Sequence, residues 1–194
     1  EIGSGLVGSE MCIRDRVVIL LAHPNIKESQ ANKALVDAVS DMEGVAVFNL
    51  YELSQEIAFN VDEWSKIISD ASAVIYQFPF YWMSAPSLLK KWQDEVFTFL
   101  SKTPAVAGKS LTVVTTTGSE YEAYRSGGRN RFTMDELLRP YQVSAIHSGM
   151  SWQTPIVVYG MGTADAGKNI AEGANLYKQR VEMLIGSSNA GNNW

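Results

Sequence analysis

The stretch Val17-Val18-Ile19-Leu20-Leu21-Ala22, running straight into His23-Pro24-Asn25-Ile26-Lys27-Glu28-Ser29-Gln30-Ala31-Asn32, decides the fold. A continuous apolar and β-branched run of this length is a strand covered on both faces, because a strand with one wet face alternates. It is far too short to span a bilayer. Beyond the polar loop, Ala31, Ala34, Leu35, Ala38 and Val39 recur at helical spacing until Gly44 supplies a stop. Buried strand, polar loop, amphipathic helix: this is the opening half of a crossover unit.

The same alternation continues along the chain. Val45 to Leu50 reads as a second strand, and Asp62 to Ala71 as a short helix with Trp64, Ile67 and Ile68 on its apolar side. Ser72 to Phe78 is a third strand. Leu88, Leu89, Trp92, Val96, Phe99 and Leu100 then mark one face of a third helix, with Pro86 suited to its first turn. Ser110 to Thr116 predicts a fourth strand and Gln142 to Ser148 a fifth, which would hold His147 as a structural histidine. The last helix is expected from Asp165 to Leu184, with Ile170, Ala174, Tyr177, Val181 and Leu184 on one stripe, and Gly186 to Trp194 is expected to form a flexible tail. Strands alternating with helices imply right-handed crossovers and a doubly wound, five-stranded parallel α/β sheet with helices on both faces.

Composition agrees with that class. The chain has 194 residues, 46% hydrophobic and 19% charged, which supplies one domain with a full core. A net charge of −5 without a Lys/Arg stripe argues against a nucleic-acid partner. The single cysteine, Cys12, excludes an internal disulfide and a cysteine-based zinc site, and no metal is expected. Residues 1–16 lack any periodicity, and Leu6 to Arg16 is similar to a sequencing-adapter read translated in one frame. They are expected to be a non-native or disordered leader outside the fold. Gly3-Ser4-Gly5-Leu6-Val7-Gly8 within them spells G-x-G-x-x-G, but no strand precedes it and no helix follows, so it is no dinucleotide fingerprint.

Three loops carry the chemistry, since ligands of such sheets sit at the carboxyl ends of the strands where the strand order reverses. In the first, a strand ends in a polar loop and a helix opens at Ser29; free N–H groups and the helix dipole there suit an anion. Ser29 can add a hydroxyl, His23 an imidazole N–H and Asn32 an amide, although Ser29 alone would also serve as an ordinary N-cap. The second loop, Phe78-Pro79-Phe80-Tyr81-Trp82-Met83-Ser84-Ala85-Pro86, sets consecutive aromatics between prolines, and these cannot all face inward. Something flat, or a partner subunit, should cover them. The third, Thr115-Thr116-Thr117-Gly118-Ser119-Glu120-Tyr121, brings small hydroxyl residues and a glycine that let backbone approach a ligand. Tyr121 to Phe132, with Gly127-Gly128, has the composition of a mobile cover. A phosphate at the first loop and a flat ring between the other two outline an FMN site.

Several segments, in order, then carry a family likeness: Ala22-His23-Pro24 with Ser29 to Lys33, Trp82 to Lys90, Thr115 to Gly118, Gly127 to Phe132 and Leu137 to Pro140. From Val17 to about Leu184 the chain resembles the NAD(P)H:quinone reductases of flavodoxin-like fold. Within them it is most similar to the bacterial branch that includes the ancillary flavoproteins of glutathione-gated potassium efflux systems. The resemblance implies a flavodoxin-like FMN-binding domain over 17–185, with NAD(P)H as co-substrate and quinones as acceptors. It implies that His23, Ser29, Gln30, Ala31 and Asn32 hold the FMN phosphate. Pro79, Phe80, Tyr81, Trp82 and Met83 would lie along the ribityl chain and ring, and Thr115, Thr116, Thr117 and Gly118 would bond the ring's polar edge. Tyr124 matches a tyrosine that assists transfer in relatives, while a companion histidine has no counterpart from Gly127 to Phe132. Hydride transfer through flavin N5 by a ping-pong mechanism, a homodimer, and a cytoplasmic location, either free or peripheral at the inner membrane face, follow from the same likeness. Three alternatives stand beside it: a regulatory subunit docking on a potassium efflux transporter, a one-electron carrier, and an unliganded domain. A one-electron carrier is expected to have a strongly acidic docking face, which Lys90, Lys91, Arg125, Arg129 and Arg131 near the site do not fit.

Overall fold

Strand β1 (Arg16–Leu21) has no polar residue after Arg16, and the computed structural model, which describes residues 16–53 and 58–190 with side chains to residue 186, shows why. Val17 and Ile19 are buried on one face of the sheet, Val18 and Leu20 on the other. The remaining elements in chain order are α1 (Gln30–Asp37), β2 (Val45–Asn49), α2 (Leu50–Leu53), α3 (Val61–Ser69), β3 (Ala71–Pro79), α4 (Ser87–Trp92), β4 (Ser110–Thr116), α5 (Met134–Leu137), α6 (Arg139–His147), β5 (Ser151–Trp152), β6 (Ile156–Val158) and α7 (Ala166–Ala190). A π turn, Gln93–Phe97, and a last turn, Thr98–Leu100, prolong α4.

All strand pairs are parallel, in the order β2-β1-β3-β4-β5, with β6 also on β4. One face is closed by α1, the turn after it and α7, through Leu35, Val39, Tyr177, Val181 and Leu184 against Val17, Ile19, Ala73 and Ile75. The opposite face is closed by Trp64 and Ile68 of α3, Leu89 and Trp92 of α4, and Tyr141 and Ala145 of α6. Among the described residues no helix is long and apolar enough to cross a membrane.

Two expectations are corrected. The fifth strand is not Gln142 to Ser148, because that stretch lies in α6 and the residue that follows it, and His147 is the last residue of a helix. The buried positions there are Leu138, Tyr141, Ala145 and Ser148, spaced three, four and three apart, whereas Val143 and Ile146 face outward. The fifth position is instead filled twice, by β5 and then β6. Three residues, Gln153-Thr154-Pro155, stand where β4 offers two, Thr112 and Val113, so the edge strand breaks and resumes. The second correction is at the carboxyl end: the helix continues past Gly186 to Ala190, since each residue added to a formed helix gains a hydrogen bond. At the other end Arg16 is already sheet, paired with Ala71. The rest of the leader, Cys12 and its glycines included, lies outside the described residues, as does 191–194.

Helix α7 packs tightly on the sheet at Gly173, where a Cβ would stand 2.4 Å from Cγ2 of Val158 on β6. Neither a strand backbone nor a stiff valine yields easily. Gly173→Ala is therefore expected to lower stability by about 1–3 kcal/mol, several degrees in a thermal melt; an unchanged melting temperature would show that α7 can lift away.

Candidate functional site

The strand order reverses between β1 and β3, and a cavity of about 610 Å3 opens there at the carboxyl ends of the strands. The volume lies within the roughly 300–1,000 Å3 usual for small-molecule sites. Its walls come from three loops: His23 and Ser29 to Asn32 after β1, Pro79 to Trp82 after β3, and Thr116 to Gly118 after β4. A second cleft, of about 520 Å3, runs along edge strand β6 and α7, but it lies away from the reversal point.

The first loop is built by capping. Ser29 has extended backbone, and its Oγ accepts from the N–H of Asn32, 3.1 Å away. That leaves the N–H groups of Gln30 and Ala31 without helical partners. His23 is 8% exposed, and its Nδ1 accepts the Asn25 N–H at 3.0 Å. This bond fixes the proton on Nε2, and burial pushes the imidazole pKa down, so the ring is a neutral donor. Asn32 is buried; its Nδ2 donates to Thr116 Oγ1 at 3.0 Å, while its Oδ1 has no partner. No Lys, Arg, Asp or Glu lines the cavity among the described residues. An anion held here would be held by dipoles.

The second loop is a two-residue hairpin. Tyr81 and Ser84 exchange both backbone hydrogen bonds, at 2.9 and 3.0 Å, and the residues between them, Trp82 and Met83, have φ of 47° and 62°. Positive φ at both central positions is the tight turn that favours Asn-Gly, and it costs a bulky residue roughly 1–2 kcal/mol each. Trp82 is 96% exposed, so no burial offsets that cost. In the third loop a Cβ on Gly118 would meet no protein atom within 4 Å, so the space beside it is open.

Of the residues expected at the cofactor, Met83 and Thr115 do not line the cavity. Thr115 and Thr116 point to opposite faces of β4, as neighbours in a strand must, and Thr115 Oγ1 instead donates to the Phe78 carbonyl at 2.7 Å. Tyr124 is buried behind Phe80, ring centroids 6.3 Å apart, and borders the β6 cleft together with Tyr159. Burial and the neighbouring Tyr121, Asp135 and Tyr124 push the Tyr159 phenol up to about 12. The stretch expected to be a cover folds on itself: Asn130 N–H donates to Ala123 O, and a Cβ on Gly128 would stand 2.2 Å from Glu122 O. Three lining residues escaped the sequence reading: Met161 before α7, and Ala166 and Ile170 within its first turns. The Ile170 stripe was visible, but nothing in it distinguished cavity from core.

A doubly wound sheet with a neutral, dipole-lined cavity at its reversal point defines a cofactor-binding α/β protein of the short parallel type. A family model described as flavodoxin-like fold matches residues 15–181, and the chain belongs to that family. It is 35% identical over 173 residues to the uncharacterized NAD(P)H oxidoreductase YdeQ of Bacillus subtilis, covering 87% of each chain. It is also 35% identical over 148 residues to the glutathione-regulated potassium-efflux system ancillary protein KefG of Serratia proteamaculans, covering 74% of this chain and 81% of that one. Among solved structures, general stress protein 14 of Treponema denticola in complex with FMN superposes with a TM-score of 0.79 at 29% identity, covering 87% of this chain and 99% of that one.

The strained hairpin yields a test. Replacing Trp82-Met83 by Asn-Gly is expected to stabilise the ligand-free protein by about 1–3 kcal/mol in denaturant titration while weakening ligand binding at the cavity. A destabilised double variant would mean that the two side chains support the fold.

Proposed function

We propose that the cavity binds FMN and that the chain is an FMN-dependent NAD(P)H:quinone oxidoreductase. The observation that carries the reading is the convergence of three chemically different walls on one space. A helix start whose Gln30 and Ala31 N–H groups remain free of helical partners suits a phosphate. The buried, unpartnered Oδ1 of Asn32 suits a ligand rich in hydroxyl donors, as the ribityl chain is. Open space beside Gly118, facing the aromatic loop, suits a flat ring. The flavin-containing relative and the oxidoreductase relative support the same choice. When bound, FMN supplies hydride-transfer chemistry between a nicotinamide and a quinone.

The chain's own part is positional. Ser29 and Asn32 shape the first turn of α1, so that the N–H groups of Gln30 and Ala31, with neutral His23, can hold the phosphate. Phe80, Tyr81 and Trp82 present an apolar surface on which flat reactants stack, and exclude water from it. Tyr124 reaches the cavity only through Phe80, and so serves as a positioning residue for that ring. A single stacking surface used in turn by donor and acceptor implies a ping-pong order.

The purified protein is expected to show a flavin absorbance spectrum that bleaches with NAD(P)H and returns with a quinone, with parallel double-reciprocal plots. Gly118→Ala should keep the wild-type melting temperature yet weaken FMN binding by about tenfold or more, as filling a ligand's space does. A protein that stays colourless with added FMN overturns the reading, and intersecting plots overturn the shared surface. The potassium-efflux relative favours a second reading, an ancillary subunit docking on a transporter; it predicts the same spectrum but activation of that transporter even without added NAD(P)H or quinone turnover.

Trp82, Phe132, Val143 and Ile146 are all more than half exposed, which is costly for a monomer. A homodimer that covers them is part of the proposal. Light scattering should return twice the 21.4 kDa chain mass, and a monomer mass would refute it.

A further inference from the structure

The side chain of Gln77 lies in the interior of β3, fully buried, in a strand whose other side chains around it are apolar or aromatic. Strand alternation puts it on the same face as Ala73 and Ile75, under α1. Its Oε1 has no partner, and an amide buried in this way costs stability relative to a leucine of similar size. The other end of the amide is engaged: Nε2 donates to the backbone carbonyl of Asn32 at 2.8 Å. Asn32 is the same residue whose N–H is capped by Ser29 and whose Nδ2 holds Thr116. One buried chain of bonds thus runs from the middle strand through the first turn of α1 to the end of β4.

From this geometry we infer that Gln77, which does not line the cavity, is a positioning residue for the phosphate end of the site. It acts through Asn32, fixing the first turn of α1 against β3 so that the N–H groups of Gln30 and Ala31 converge on one point. An apolar side chain at position 77 would pack against the same neighbours but leave that turn held by Thr116 alone. The inference rests on the FMN reading and adds to it a residue outside the cavity that tunes one part of the ligand only.

That selectivity gives the test. FMN and riboflavin differ by the phosphate, so each is titrated by fluorescence quenching into flavin-free wild type, Gln77→Leu and Gln77→Met, alongside a thermal melt without flavin. FMN affinity should fall roughly three- to tenfold in both variants, the worth of one buried hydrogen bond, while riboflavin affinity and melting temperature hold or rise. Equal losses for FMN and riboflavin would make Gln77 a general structural residue and overturn the inference, as would unchanged FMN affinity in whichever variant folds. Wild type that binds neither flavin overturns the FMN reading itself, and is told apart because the wild-type titration alone reveals it.

Discussion

A strand with no polar side chain beyond its first residue must be covered on both faces, and that one requirement on β1 organises the rest. Covering both faces takes helices on each side of the sheet. Helices connecting parallel neighbours take right-handed crossovers, and a strand in the middle of the order has its neighbours added in opposite directions. The chain leaves β1 toward β2, then returns across it to β3, so the loops that follow β1 and β3 splay apart. The cavity is what remains between them. Its position follows from the burial of Val17 to Leu21 before any ligand is considered.

Much of this was legible because burial on two faces leaves a strong pattern. Four strands and the long helices were readable as apolar runs or stripes. The fifth strand was not, and the reason is local. In β5 and β6 only a few residues pair, interrupted by Pro155, too little pattern to stand out. The competing stretch at α6 is short, and its outward-facing Val143 and Ile146 add apolar positions off the buried face, so no clean helical stripe stands out there. Periodicity reads which residues are hydrophobic, and here two exposed apolar residues blurred the buried stripe of Leu138, Tyr141 and Ala145.

The site was legible to the level of loops and illegible at the level of faces. Twelve of the fourteen residues expected at the cofactor line one cavity. Thr115 was indistinguishable from Thr116 without knowing which face of β4 looks toward α1. Tyr124 and Phe80 come from different loops, and only their packing shows that one ring screens the other. Gln77 did leave a signal, a lone amide inside an otherwise apolar strand, which is costly to bury without a purpose.

The cavity's neutrality sets how the proposed phosphate site would have to work. A phosphate in water is strongly solvated, and moving it onto a protein without a cation requires many weak donors already in place. Loose donors would have to be ordered at the moment of binding, and their lost freedom would cancel what they contribute. The structure answers with restraint: Ser29 caps, Asn32 is held from two strands, and His23 is locked in one tautomer by the Asn25 N–H. The same logic accounts for a turn that holds Trp82 and Met83 in an unfavourable backbone region. Rigidity bought there against local preference keeps an exposed ring in a fixed place, so the ligand meets a surface that does not have to reorganise.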